Sequence, residues 1–122
     1  MVGLSSKGEI AVLTPLTTTA YISLHSADPG DAGTSELSGG AYARQGAVTF
    51  ANSGNNPTVA SNSAIVTFPT ASSSWGTITH FGIWDAVTAG NFRGSGALTA
   101  TKAVNSGDTA RFAVNALTIT AQ

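Results

Sequence analysis

Residues 75–84, with the sequence WGTITHFGIW, constrain the fold more than any other stretch of the chain. They contain both tryptophans of the protein and alternate with the two-residue period of a β-strand. Neither set of alternate side chains is uniformly polar: one comprises Ile78, His80, Gly82 and Trp84, and the other comprises Thr77, Thr79, Phe81 and Ile83. This pattern is typical of a strand buried on both faces. We therefore predict that it lies at the centre of a sheet.

Other segments with strand periodicity recur on both sides of this stretch, separated by turn signals rich in glycine, proline and asparagine. Almost no helical periodicity occurs. The pattern is typical of an all-β fold, an antiparallel β-sandwich of jelly-roll type. The sequence Val-Thr-Phe occurs at 48–50 and again at 66–68, which we interpret as two adjacent antiparallel strands. The predicted further strands cover residues 20–25, 42–50 (with a bulge near Gly46), 59–68, 92–98 and 109–121.

At 122 residues the chain is long enough for one domain with a real core. We place the β-sandwich at 20–122 and an N-terminal arm or short helix at 1–19. Ser6 and Glu9 have the spacing of a helix-capping box, and Pro15 would end such a helix; an extended arm is the alternative. The apolar residues of this segment need a partner surface, and they are Ile10, Val12 and Leu13.

Charged residues make up only 9% of the chain, compared with about 25% in ordinary soluble domains. The surface must therefore consist largely of uncharged polar groups, which give little repulsion between copies and favour assembly. The five cations are scattered, so no concentrated positive surface for nucleic acid is predicted. The absence of cysteine excludes disulfides and thiolate zinc sites. No apolar run approaches the roughly 18 residues that span a bilayer, and no secretory signal is expected.

Enzymatic function is the weaker interpretation of the polar residues. A hydrolase of the Ser-His-Asp type would use His25 or His80 with Asp28 or Asp85, but no Gly-x-Ser-x-Gly motif is present. His80 lies between apolar neighbours and is interpreted as a core or interface histidine. The carboxylates lie mostly in predicted turns, where they usually bind backbone amides rather than form a glycosidase pair. We predict no enzyme and no cofactor.

Residues 26–41 form a long predicted loop with two strong turn signals, and long loops are usually functional. A calcium site is the open alternative here, with Asp28, Asp31 and Glu36 as oxygen ligands, although their spacing matches no known calcium motif. The aromatic residues offer another alternative, a platform on which a sugar ring stacks, although aromatic side chains in a domain of this size belong mostly to the core. The platform would comprise Trp75 and Tyr42, with Trp84 and Tyr21 as further candidates.

Five motifs in order resemble those of small virion proteins of tailed bacteriophages, a family described as tail fibre or minor tail proteins and related to capsid decoration or cement modules. The resemblance extends over about residues 4–120, and the motifs are specific in combination. They are 23–30 (SLHSADPG), 36–45 (ELSGGAYARQ), 66–71 (VTFPTA), 75–86 (WGTITHFGIWDA) and 104–112 (VNSGDTARF).

The resemblance implies a non-enzymatic structural component of the virion, with itself and other virion proteins as partners. It implies a homotrimer on the capsid or on the tail; the alternative is a glycan- or receptor-binding module at a fibre. We expect Arg44 to fix the 26–41 loop by pairing with Glu36 or a loop carbonyl. The predicted interface residues are Ile10, Val12, Leu13, Asp28, Pro29, Glu36 and Arg44.

Overall fold

The computed structural model describes residues 20–53 and 58–121, which contain strands and turns but no helix. All strand pairings are antiparallel, so the predicted all-β antiparallel class is confirmed. Within these two ranges no helix is long and apolar enough to cross a membrane. The strands are β1 (Ala20–His25), β2 (Gln45–Val48), β3 (Phe50–Ser53), β4 (Thr58–Asn62), β5 (Val66–Thr70), β6 (Gly76–Trp84), β7 (Phe92–Val104), β8 (Thr109–Phe112) and β9 (Thr118–Ala121).

The strands form three hydrogen-bonded sheets in a sandwich-like arrangement. The largest has the order β2-β1-β6-β7, the second has the order β3-β4-β9, and β5 pairs with β8 alone. Strand β6 lies between β1 and β7, so the predicted central position of residues 75–84 is confirmed. The predicted arm at 1–19, with Ile10, Val12 and Leu13, lies outside the described residues.

The face assignment within β6 is wrong in its first half. Ile78 is buried in the same core cluster as Phe81 and Ile83, rather than sharing a face with His80 and Trp84. The cause is an irregularity in the pairing of β6 with β7 between Ile78 and His80, where β7 contains more residues than β6. An irregularity of this kind bends and twists the strand pair locally, and the strict two-residue alternation of β6 is interrupted at that point.

The hydrophobic core joins the four-stranded sheet to the β5–β8 pair. Ile22 from β1 and Phe81 from β6 are fully buried in the same cluster as Phe68 of β5 and Phe112 of β8. The rings of Phe68 and Phe112 meet edge to face, with centroids 6.0 Å apart. Aromatic pairs in this geometry contribute about 0.5–1.5 kcal/mol beyond their buried area.

Three segments predicted as single strands each divide between two sheets. The chain leaves β2 at Thr49 to begin β3, crosses between β4 and β5 at 63–65, and crosses between β8 and β9 at 113–117.

The predicted pairing of the two Val-Thr-Phe segments is also wrong, because β5 pairs with β8 and β2 pairs with β1. The irregularity predicted near Gly46 is confirmed by a register shift opposite β1. Strand β7 extends beyond its predicted end at residue 98 to Val104.

Candidate functional site

The segment between β1 and β2, residues 26–44, folds back onto the end of β1, and we call it the 26–44 loop. Ser26 donates its backbone N–H to the carbonyl of Ser35, and Leu37 donates to the carbonyl of Leu24, at 3.1 and 3.0 Å. The loop therefore continues the pairing of β1 beyond the sheet, and its position relative to β1 is fixed by backbone hydrogen bonds.

The first part of the loop is a tight turn organised by Pro29. Its carbonyl accepts hydrogen bonds from the backbone N–H groups of Gly33 and Thr34, at 3.1 and 3.0 Å. Asp28 is exposed and accepts from the N–H of Gly30 at 2.9 Å, which is the usual action of an aspartate at a turn. Of the two interface candidates here, Asp28 lies at the surface and Pro29 is buried.

The expected pairing of Arg44 with Glu36 is present. Nε and Nη2 of Arg44 donate to Oε2 and Oε1 of Glu36 at 2.9 and 2.8 Å, a bidentate arrangement. The two side chains are only 9% and 20% exposed, respectively. Bidentate arginine–carboxylate pairs are among the strongest hydrogen-bonded contacts in proteins. The two charged groups are therefore mainly internal contacts of the loop.

Arg44 also binds the turn between β6 and β7, residues 85–91. Its Nη1 donates to the carbonyls of Ala86 and Ala89 at 3.1 and 2.8 Å. The guanidinium carbon lies 3.7 Å from the ring centroid of Trp84, which is a close cation–π contact. One side chain thus connects the 26–44 loop, the end of β6 and the 85–91 turn.

The 85–91 turn has its own support. The carboxylate of Asp85 accepts hydrogen bonds from the backbone N–H and the side-chain amide of Asn91, at 2.7 and 2.8 Å. These hydrogen bonds hold the pKa of Asp85 below its usual value. Asp85 is therefore committed to shaping the turn, and the hydrolase interpretation loses its candidate carboxylate partner for His80.

Tyr42 completes the environment of Glu36. Its hydroxyl donates to Oε2 of Glu36 at 2.7 Å and accepts the backbone N–H of Leu24 at 3.0 Å. Burial raises the pKa of Tyr42 far above its usual range, so the phenol remains a donor. Burial by itself would raise the pKa of Glu36, but the hydrogen bonds from Arg44 and Tyr42 outweigh it and hold that pKa below its usual value.

A second chain of hydrogen bonds runs beneath the loop. Nε1 of Trp84 donates to Oγ of Ser23 at 2.9 Å, Ser23 contacts Nε2 of His25 at 2.7 Å, and Nδ1 of His25 lies 2.7 Å from the carbonyl of Thr34. An indole N–H only donates and a carbonyl only accepts. In the neutral ring the network therefore assigns the proton to Nδ1 and makes Nε2 the acceptor of the Ser23 hydroxyl.

This chain depends on the absence of a side chain at Gly82, in the middle of β6. A Cβ at that position would lie 2.5 Å from Oγ of Ser23 and 2.8 Å from Nε2 of His25. Ser23 is not among the residues predicted from the sequence to form a site, although its position between Ile22 and Leu24 on a strand places it on the face opposite to theirs.

Comparison with known proteins identifies the family of the chain. A protein-family model described as "Podophage GP4 fiber I protein gp80" matches residues 8–120, which is nearly the whole chain. The chain belongs to this family. The resemblance to tailed-phage virion proteins is therefore confirmed, and the chain is a phage fibre structural protein and a component of the virion. No curated protein matches the sequence.

In this fibre protein the candidate sugar platform is used for packing. Trp75 is 7% exposed and its indole N–H donates to the carbonyl of Gly40 at 2.8 Å. Its ring meets Tyr42 edge to face at 5.6 Å, and Tyr42 in turn stacks on Phe68 with centroids 6.2 Å apart. Both rings therefore make their main contacts inside the domain.

The calcium alternative finds no support in the part of the chain that the structure describes, where no cluster of three or more His, Cys, Asp or Glu could hold a metal ion. Both carboxylate oxygens of Glu36 are already hydrogen-bonded to the fibre protein's own side chains.

An open groove of about 350 Å³ lies between the 26–44 loop and the 85–91 turn, with Leu37, Tyr42 and Val87 among its lining residues.

The fit of the loop against Trp84 is testable at Gly33. A Cβ there would lie 2.7 Å from Cζ2 of Trp84, and the backbone has a φ of +74°; Gly30 has a similar φ of +64° with nothing within 4 Å. We expect Gly30→Ala to lower the free energy of unfolding by about 1 kcal/mol, from backbone strain alone. Gly33→Ala should cost about 1 kcal/mol more, because the methyl group also overpacks the ring. Urea unfolding monitored by tryptophan fluorescence measures both, and equal losses would contradict a close fit.

Proposed function

We propose that this fibre protein is a non-enzymatic homotrimer attached to the phage tail, with its 26–44 loop and residues 1–19 facing other virion proteins. The observation that carries the proposal is the family match, because the matching model is described as a fibre protein. The description as a fibre protein favours the tail over the capsid, which were the two locations suggested by the motifs.

The surface supports self-association. Charged residues are scarce, so copies repel one another little. Ile65 and Val114 are the large apolar side chains exposed at one end of the β5–β8 pair, at 59% and 47%. Val66 pairs with Phe112, which places the two side chains beyond the same end of the pair. A closed symmetric assembly would bury this apolar end once in every subunit.

The 26–44 loop suits contact with other proteins because its shape is fixed in advance. A loop that is ordered before binding loses less conformational entropy on binding. Glu36 and Arg44 are mainly internal, so they contribute by holding the loop, whereas Asp28 at the turn is exposed. The glycan-binding alternative is less favoured, because Trp75 is buried.

The oligomeric state tests the first part of the proposal. Native mass spectrometry of the full chain should give about three times the 12.2 kDa subunit mass. Ile65→Asp should convert the trimer to monomer by placing a carboxylate in the apolar contact, whereas Val87→Asp, in the groove, should remain trimeric. A chain that is monomeric at every concentration would contradict the proposal. An Ile65→Asp variant that remains trimeric would show that the trimer interface does not include this end of the β5–β8 pair.

The location tests the second part. Antibodies raised against the purified domain should label virions at the tail when they are viewed by immunogold electron microscopy. Labelling confined to the capsid shell would replace the tail assignment with the decoration role.

A further inference from the structure

His25 lies fully buried at the junction between β1 and the 26–44 loop, with both ring nitrogens hydrogen-bonded. We propose that His25 is an acid-operated latch: it holds the loop closed on β1 while its ring is neutral, and its protonation releases the loop. The latch is a property of the single domain and does not depend on the trimer or on its place in the virion.

The hydrogen-bond chain is complete only with the neutral ring. Ser23 receives the indole N–H of Trp84 and donates its own hydrogen to Nε2 of His25. A protonated ring carries N–H on both nitrogens. Two donors would then point at Oγ of Ser23, and the hydroxyl hydrogen would lose its acceptor. Burying a donor without a partner, together with a new charge, is unfavourable.

The charged and titratable groups around His25 add to this effect. Burial is the largest influence and lowers the pKa of His25 below its usual value. Arg44 on the loop and His80, its direct cross-strand partner on β6, also disfavour a second positive charge. The Thr34 carbonyl and Glu36 act in the opposite direction, but Glu36 is already bound by Arg44. From β7 the nearest ring is Phe92, which is apolar and lies 6.3 Å away.

The loop is the element that must move if the charged ring is to reach water. It covers His25 through the Thr34 carbonyl and through the bridge between His25 and Glu36. In the open form the ring regains an ordinary pKa of about 6.5. The open form then binds more protons than the closed form, so the opening equilibrium increases as the pH falls below about 6.5. The increase is up to about tenfold per pH unit, until the pH reaches the pKa of the closed form.

Amide hydrogen exchange of the full-length chain tests the latch. Protection factors, corrected for the intrinsic exchange rate at each pH, should fall up to about fivefold between pH 6.5 and 5.5 for the amides of Ser26, Thr34 and Leu37. These amides donate within the loop or from the loop to β1. The amides of Ala71 and Leu117, which donate to Asp108 and Asn62, should keep their protection. Loop protection that does not change while the ring of His25 titrates would overturn the proposal.

Two variants show which histidine causes the loss of loop protection in acid. His80→Gln should retain the response and His25→Gln should abolish it; the opposite result would assign the response to His80 and refute the latch. If His25→Gln does not fold, the ring nitrogen shifts of the unaltered protein still decide. They should show the Nδ1–H tautomer and a midpoint below 6.5, and a midpoint at or above 6.5 would refute the proposal.

Discussion

Arg44→Met is expected to lower the free energy of unfolding by about 3 kcal/mol. Removing one partner of a buried ion pair typically costs about 3–5 kcal/mol, and the partial exposure of Glu36 places this case at the lower end. Methionine keeps much of the volume over Trp84 but leaves the carbonyls of Ala86 and Ala89 without their donor. Chemical denaturation at pH 7 gives the value. Arg111→Met removes an exposed arginine and should change stability by less than about 0.5 kcal/mol.

A double-mutant cycle separates the charge of Glu36 from the other contacts of Arg44. In the Glu36→Gln background no carboxylate remains unpaired, so Arg44→Met should cost about 1–2 kcal/mol less than in the unaltered protein. The pH dependence has a defined sign. The depressed pKa of Glu36 contributes stability that is present above its unfolded pKa and is lost as the pH falls through its folded value. Arg44→Met should therefore differ less from the unaltered protein in acid, and a constant difference down to pH 3 would argue against the ion pair.

The central strand was predictable because burial on both faces leaves a signature in the sequence. Residues 76–84 lack a consistently polar alternate position, and the structure places them between two neighbouring strands. Which residues of this strand share a face of the sheet was not predictable. The alternation is interrupted between Ile78 and His80, where the pairing with β7 is irregular, and a local pattern does not include the pairing partner.

The prediction of single strands where the chain divides between two sheets failed for a related reason. Strand-like alternation continues on both sides of a phase shift near Ala116, even though the chain changes sheet at 113–117. The clearest local sign of the crossing is Asn115, whose φ of +68° belongs to the left-handed region that asparagine tolerates better than most residues. A short turn between two strand-like segments resembles a continuous strand when only periodicity is considered.

The ion pair of the site could be predicted because the chain has few charged residues. The contacts of the site with backbone carbonyls could not. Few charged residues exist, so Glu36 in the predicted 26–41 loop and Arg44 at the start of the following predicted strand were natural partners, and the structure pairs them. Nothing in the sequence marks the carbonyls of Ala86 and Ala89 as acceptors, because every residue has a carbonyl group. Ser23 joins the His25 network through Trp84, which is 61 positions away, so only the fold could bring them together.

Asn62→Ala is expected to cost about 3 kcal/mol, because one buried amide fixes two of the crossings between sheets. Its Nδ2 donates to the carbonyls of Ala64 and Ala113, both at 2.8 Å. Its Oδ1 accepts the N–H of Leu117, a fully buried residue, at 2.9 Å. Alanine would leave that N–H without a partner, at a cost of about 1–3 kcal/mol, and would add a cavity.

The same substitution at Asn105, an exposed turn residue, controls for the change of residue type and should alter stability by less than about 0.5 kcal/mol. Because the lost contacts lie at the crossings, Asn62→Ala should also reduce amide protection at Leu117 and Asn115 more than at Leu37 in the 26–44 loop. Uniform loss across all three amides would mean that the crossings open only with the whole domain. Selective loss at 115–117 would identify them as a separate unit, held by a side chain that lies far from Arg44 in the sequence.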